Sequence, residues 1–317
     1  MAAITRDGTV RFGLQLPIQT LTRTLVDPWE EKATPADLVA IAKRCDERDL
    51  DFVGVCDHVA IPDDDYARNM STTWYDTVAT LGFLAAQTSR IRLVSTIWVA
   101  AYRHPLQTAK AFGTLSHLSN GRVILGVGAG HVRGEFEALG IEFETRGRRL
   151  DESLRAIRGA FDAPYVSHAG EFYRYAKVGV GPGPRGALPI WIGGRGRNAW
   201  RRVGRFGDGW IPMANDKRPY SEAIDVMRAA ARAAGRGEVA FDVGYMPAWA
   251  YLLGPVPASL PTGGLRGGAE GLVEDLRAAR AVGANTFHLR FRARSVEEYL
   301  DQLDAFRERV WPEVARD

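Results

Sequence analysis

The sequence predicts an α/β protein built as a closed (β/α)8 barrel, also called a TIM barrel, and three observations support this. Eight short apolar segments alternate with amphipathic helical segments along the 317 residues. The apolar segments are almost continuously hydrophobic, which is typical of parallel strands covered by helices. Eight such units fit a closed barrel better than an open Rossmann sheet, whose usual strand count is about six. No shift in composition divides the chain, so residues 1–317 are predicted to form a single domain.

The N-terminal half contains the first four strands. We predict them at 10–16, 51–56, 91–99 and 122–127, with helices at 36–48, 74–88, 106–118, 131–139 and 146–161. Thr34-Pro35 is typical of a helix N-cap and first turn. Asn120-Gly121 ends the third helix, because glycine tolerates the left-handed backbone of a helix end.

The C-terminal half repeats the pattern after an insertion. Segment 165–186 is aromatic and rich in Gly and Pro, and 168–175 is compatible with a small hairpin. Strands follow at 189–192, 209–212, 241–249 and 286–291, and helices at 198–206, 220–234, 269–282 and 296–310. A long Gly/Pro loop, 254–268, precedes the seventh helix.

Composition excludes several function classes. The net charge is +3, from 41 basic and 38 acidic residues, so neither nucleic acid nor an anionic membrane is indicated as a partner. No apolar run approaches the ~20 residues that span a bilayer. The N-terminus has no signal-peptide pattern, and the two cysteines form no metal spacing, so we predict a cytoplasmic protein with reduced thiols.

The active sites of such barrels lie just after the strands, at their C-terminal ends. Gly193-Gly194-Arg195 opens a helix there and predicts a phosphate site, because helix N-termini bind anions. The GxGxG run that ends at Gly130 lacks the full dinucleotide spacing. Strand one ends in Leu-Pro-Ile without an HxH pair, and the histidines show no ligand spacing, so we predict no metal centre.

A longer pattern resembles the luciferase-like monooxygenase family, and within it the actinobacterial branch that uses the deazaflavin coenzyme F420. The motifs that carry it are Asp57-His58, RHPLQTAKAFGTLSHLSNGRVILGVGAG at 103–130, FEALGIEFETRGRRLDE at 136–152, GEFYRY at 170–175 and PIWIGGRG with FGDGW at 189–210. The resemblance runs nearly end to end. It implies a luciferase-like barrel with an insertion before strand five, a flavin-type ring across the strand ends, and a homodimer.

The resemblance also implies roles for individual residues. A non-proline cis peptide at Thr96–Ile97, beside Ser95, would lie behind the ring. The cofactor-binding set is Asp57, Ser95, Thr96, Ile97, Gly128, Gly130, Gly193, Gly194 and Arg195, where the late glycines and Arg195 would hold the phosphate and Gly128 and Gly130 would clear room for the coenzyme. His58 would exchange a proton near the reacting carbon. His131 stands where some deazaflavin-dependent sugar dehydrogenases have a catalytic Glu.

Three residues, Trp74, Trp98 and Arg290, are candidates for contacting the substrate. Trp74 and Trp98 suggest an apolar or aromatic small molecule, although loop packing and core filling explain them equally well. Arg290 is suited to a carboxylate or phosphate, or to pairing with a surface acid. The resemblance favours F420 and hydride transfer, with an FMN-dependent monooxygenase as the alternative and a non-catalytic cofactor-binding relative as a weaker one.

Overall fold

The computed structural model describes residues 3–213, 219–261 and 265–315, and these form a (β/α)8 barrel. The strands are β1 Arg11–Gln15, β2 Phe52–Val55, β3 Arg92–Ser95, β4 Trp98–Val99, β5 Val123–Gly128, β6 Val166–Ala169, β7 Arg174–Val178, β8 Ile190–Gly193, β9 Gly209–Ile211, β10 Asp242–Tyr245, β11 Trp249–Tyr251, β12 Leu265–Gly267 and β13 Thr286–Leu289. The helices are α1 Pro35–Glu47, α2 Thr77–Gln87, α3 Pro105–Leu118, α4 Arg133–Ala138, α5 Arg146–Gly159, α6 Gly196–Phe206, α7 Tyr220–Ala233, α8 Ala269–Ala281, α9 Val296–Ala305 and α10 Trp311–Ala315. Within the described residues, no helix is long and apolar enough to cross a membrane.

The barrel closes because its first and last strands pair. All barrel pairings are parallel: β1 lies between β2 and β13, and the ring continues through β3, β5, β8, β9 and β10 back to β13. The third barrel position is shared by β3 and β4, which are separated at Thr96–Ile97. The predicted eight-stranded parallel barrel is therefore confirmed.

Several predicted boundaries differ from the structure, most clearly in the C-terminal half. The predicted seventh strand ends early, at Tyr245, and Pro247 follows before β11 begins. Proline has no backbone N–H, which explains a break in the strand ladder there. The loop predicted at 254–268 contains β12, which pairs in parallel with β11 outside the barrel. The insertion before β8 contains the predicted hairpin, formed by the antiparallel pair β6 and β7.

Aromatic side chains fill the barrel interior below its mouth. The Phe52 ring lies 5.2 Å from Trp191 and 4.8 Å from His288, measured between ring centroids. These residues come from β2, β8 and β13, which are not neighbours in the sheet, so their side chains meet across the interior. The Trp191 Nε1–H donates to Asp242 at 2.8 Å. The open space therefore lies above this layer, at the C-terminal ends of the strands.

Candidate active site

A cavity of about 300 Å³ opens at the C-terminal mouth of the barrel. This volume lies at the lower end of the range for small-molecule sites, which is about 300–1,000 Å³. Its lining is mainly apolar and comes from β1, β2, β3, β8, β9, β10 and β13 or the loops after them. Among the residues that line it are Gln15, Ile18, Gln19, Glu30, Cys56, Thr96, Ile97, Gly193, Gly194, Met246, Trp249 and Arg290.

A polar network holds one wall of this cavity. The Thr96 hydroxyl donates to Gln15 Oε1 at 2.7 Å, and Gln15 Nε2 donates to the Cys56 sulfur at 3.2 Å. Gln19 accepts a hydrogen bond from the Cys56 backbone N–H. Burial raises the pKa of the Cys56 thiol to about 12, so this thiol is protonated at neutral pH. The sequence analysis missed both glutamines, which stand at the end of strand one and in an ordinary polar loop.

The Thr96–Ile97 peptide is cis, as the resemblance implied, and both residues line the cavity. Ser95 is buried and bonds across the sheet instead: its hydroxyl donates to the Gly126 carbonyl at 2.8 Å and accepts from the Gly126 N–H at 3.0 Å. Ser95 therefore joins β3 to β5 and does not line the cavity.

The predicted role of the GxGxG glycines needs correction. A Cβ at Gly128 would lie 1.8 Å from Ile97 Cδ1, and one at Gly130 would lie 2.8 Å from both Phe136 and Val99. The space beside these glycines is thus taken by the protein's own side chains. These glycines leave space for other side chains of the protein. They shape the cavity only indirectly, because Gly128 leaves space for Ile97, which lines it.

Asp57 is buried and its carboxylate is fully engaged. Arg103 donates to its two oxygens at 2.6 and 2.9 Å, and the Val99 N–H donates at 2.8 Å. Burial raises the pKa of Asp57, against the opposing effect of the Arg103 hydrogen bond and charge. Asp57 thus holds the end of β2 to the segment at β4, and it does not line the cavity described above.

His58 belongs to a network that the sequence analysis did not anticipate. Glu135, from α4, is fully buried and accepts hydrogen bonds from His58 Nδ1 at 3.0 Å and the Tyr102 hydroxyl at 2.6 Å. Burial opposes ionisation of Glu135, but the hydrogen bonds from His58 and Tyr102 outweigh it and lower the pKa. An ionised carboxylate only accepts hydrogen bonds, so the His58 proton lies on Nδ1 and Nε2 is left for acid–base chemistry. A charged residue on the buried face of a short helix was the only sequence signal for Glu135.

His131 and Trp74 flank His58. The His131 ring lies 5.9 Å from the His58 ring, and Trp74 lies 4.4 Å from it. His131 Nδ1 is 3.0 Å from the Tyr66 hydroxyl. The pKa of His131 is lowered, mainly by burial and to a lesser extent by the nearby His58. The neutral form of His131 is therefore favoured. The structure therefore brings His58, His131 and Trp74 together, after the end of β2. None of the three is among the residues that line the cavity.

Trp98, predicted as a substrate contact, lies in the core. Its Nε1–H donates to Thr108 at 3.1 Å, its ring packs edge-on against Phe112 at 5.3 Å, and the Arg103 guanidinium covers it at 3.5 Å. The substrate interpretation of Trp98 is wrong and its core-packing alternative holds, because Thr108 and Phe112 of α3 contact this side chain.

Gly193 and Gly194 line the cavity just before α6, and Arg195 is the exposed N-cap residue of that helix. Gly194 has a φ of +127°, which residues with side chains rarely adopt. The Gly194 N–H donates to the Ile211 carbonyl at 3.2 Å. The start of α6 and the cavity therefore meet at these glycines, as the predicted phosphate site requires.

Glu30 is a second acid that the sequence analysis missed. It is buried, lines the cavity, and accepts hydrogen bonds from the backbone N–H groups of Ile18 at 2.7 Å and Asp27 at 2.8 Å. Burial raises the pKa of Glu30 to about 7. Asp27-Pro28 followed by Glu30 is typical of a capping turn, and the structure has a short helical turn here, at Pro28–Lys32. Within the described ranges, no three potential metal-binding side chains cluster.

Comparison with known proteins identifies the family. A family model described as luciferase-like monooxygenase matches residues 10–250. An F420-dependent glucose-6-phosphate dehydrogenase of Amycolatopsis mediterranei (strain U-32) is 34% identical over 57% of this chain and 54% of its own length. The enzyme of the same name from Kineococcus radiotolerans (strain ATCC BAA-149 / DSM 14245 / SRS30216) is 32% identical over 67% of this chain and 63% of its own length, so the chain spans less than two thirds of either relative.

A solved structure shares the whole fold. An F420-dependent secondary alcohol dehydrogenase, in complex with an F420-acetone adduct, superposes with a TM-score of 0.77. It is 19% identical and covers 98% of this chain and 100% of its own. Because the family model matches most of the chain, the protein belongs to the luciferase-like monooxygenase family.

Proposed function

We propose that this protein is an F420-dependent oxidoreductase that transfers a hydride between the deazaflavin and a small organic substrate at the barrel mouth. The observation that carries the proposal is the apolar cavity bounded by the cis peptide on one side and by Gly193-Gly194 on the other. Two of the named relatives that match are F420-dependent dehydrogenases. An FMN-dependent monooxygenase is the alternative, and a non-catalytic cofactor-binding relative is a weaker one. A homodimer and a cytoplasmic location stay predictions.

The residues present fit a ring-shaped coenzyme with a phosphate. The lining is apolar where a ring would lie, and Thr96 and Ile97 would form the wall behind it. The backbone N–H groups at the start of α6, which follow Gly194, would receive the phosphate, since a helix N-terminus favours anions. When bound, the coenzyme supplies hydride chemistry. Asp57 would act by positioning β4 beside the ring, because its own oxygens are occupied by Arg103 and Val99.

His58 is the proposed proton-exchanging residue, supported by its hydrogen bond to Glu135. With the proton held on Nδ1, Nε2 accepts a proton from an alcohol that is being oxidised, or returns one to a carbonyl that is being reduced. His131, which favours its neutral form, would pass the proton from this site towards Tyr66 at the surface.

The cofactor choice is tested by titrating the apo-protein with F420 and with FMN while recording fluorescence quenching. We expect F420 to bind about tenfold tighter or more. A Gly194→Ala variant should weaken that binding, because the side chain disfavours φ near +127°. Gly186→Ala is the matched control, since Gly186 also has a positive φ but lies outside the cavity. Tighter binding of FMN would favour the monooxygenase alternative, and binding of neither would overturn the proposal.

The role of His58 is tested with His58→Phe, which keeps an aromatic ring against Trp74 but removes both nitrogens. Turnover of F420 with a substrate found by screening small alcohols and aldehydes should fall by about 10²–10⁴-fold, while the Kd for F420 changes little. His117→Phe, on the exposed face of α3, is the control and should retain wild-type turnover. Full turnover by His58→Phe would remove His58 from the mechanism.

A further inference from the structure

Among the described residues, Arg290 is a half-buried cation without a counter-ion at the cavity wall. It follows β13 and lines the cavity, and its Nη2 donates to the Pro247 carbonyl at 3.2 Å. Its Nε is buried and has no hydrogen-bond partner, and no carboxylate of the described residues forms an ion pair with it. The guanidinium lies 4.7 Å from the centre of the Trp249 ring.

The neighbouring arginines are treated differently by the fold. Arg292 pairs with Asp27 at 3.0 Å, and Arg294 pairs with Glu298 at 2.6 Å. The pKa of Arg290 is lowered to about 10, mainly by burial and to a lesser extent by the charge of Arg292. Arg290 therefore still carries its charge at neutral pH. A buried charge without a partner is costly, and breaking or leaving out one side of an ion pair is unfavourable. Within the part of the chain that the structure describes, acids pair with the next two arginines but none pairs with Arg290.

The rest of the cavity defines what an anion here would be attached to. The cavity lining is mainly apolar and includes Ile18, Met246 and Trp249, whose ring lies against the Arg290 guanidinium. The one carboxyl group of the described lining, Glu30, is held by backbone N–H groups of its own loop. An anionic group in the cavity would therefore meet the Arg290 guanidinium, and the body attached to it would lie against an apolar lining.

We propose that the cavity binds a substrate made of a carboxylate on a compact apolar or aromatic body, with the carboxylate paired to the guanidinium of Arg290. The planar guanidinium of arginine can donate two parallel hydrogen bonds to the two oxygens of one carboxylate. This proposal rests on the proposed function, because it assumes that the substrate enters the same mouth as the coenzyme. A phosphate or carboxylate of the coenzyme itself is the other source of the same chemistry, and the experiment separates the two.

Benzoate and its neutral analogue benzamide are the probes, titrated by calorimetry into the protein without coenzyme. We expect benzoate to bind about tenfold to a hundredfold tighter than benzamide. Arg290→Met should abolish this preference, whereas Arg290→Lys, which keeps the charge but loses the planar edge, should retain part of it. Arg294→Met removes an equivalent side chain outside the cavity and should leave the preference unchanged.

Equal binding of benzoate and benzamide by the wild-type protein would overturn the proposal even if no variant folds. So would a benzoate preference that survives in folded Arg290→Met. A second arm measures F420 binding by the same variant, and we expect it to change by less than about twofold. If F420 binding is lost while wild-type protein shows no benzoate preference, Arg290 serves the coenzyme, and the substrate proposal is wrong. If F420 binds to no variant and not to wild type, while benzoate preference is seen, the proposed function fails and this inference stands.

Discussion

Gly126→Ala is expected to destabilise the protein by about 3 kcal/mol or more, or to prevent folding. An added Cβ would lie 2.0 Å from the Ser95 carbonyl oxygen and 2.9 Å from Ile211 Cδ1. The Ser95 carbonyl oxygen belongs to the backbone of β3, so no side-chain rotation relieves the overlap. The two hydrogen bonds between Ser95 and Gly126 would be disturbed as well. Urea unfolding followed by tryptophan fluorescence measures the change in the free energy of unfolding.

Gly82→Ala is the matched control for this substitution. Gly82 lies within α2, and nothing is within 4 Å of the position of its Cβ. Alanine in a helix interior is favoured over glycine by roughly 0.5–1 kcal/mol, so this variant should be slightly more stable than wild type. Similar small effects in both variants would contradict the close approach of β3 and β5.

Asp57→Ala is expected to cost about 3–5 kcal/mol of unfolding free energy. It leaves the Arg103 guanidinium, which is only 18% exposed, and the Val99 N–H without their acceptor. The loss comes from the abandoned partners more than from the lost attraction, because an uncompensated charge remains in a water-poor site. Chemical denaturation of the variant and wild type gives the difference.

Asp65→Ala provides the comparison for this ion pair. Asp65 also pairs with an arginine, Arg68, but the two side chains are 96% and 63% exposed. Exposed pairs contribute about 0–1 kcal/mol, so this variant should be close to wild type. If Asp57→Ala were equally mild and instead lost F420 binding, Asp57 would contact the coenzyme directly, as the sequence analysis expected.

The fold and the location of the site follow from local patterns. Apolar strands and amphipathic helices repeat every few tens of residues, and the barrel architecture places every strand end at one mouth. The resemblance to the family implied the cis peptide at Thr96–Ile97. The helix that begins just after Gly193-Gly194 indicated that these glycines lie at the barrel mouth. The prediction of the seventh strand was less accurate. Its end at Tyr245 and the pairing of β11 with β12 depend on contacts between distant segments.

The sequence by itself determined the eight-unit barrel, its closure from repeated βα units, and the set of residues that stand at the strand ends. Only the tertiary structure decided which of these face the cavity. It turned Asp57 and Trp98 into the protein, where Arg103 and Thr108 bind them, and brought Glu30 and Arg290 to the cavity wall. The physical reason is that side-chain direction depends on pairing partners far away in the chain, as with Glu135 and His58, which are separated by 77 positions.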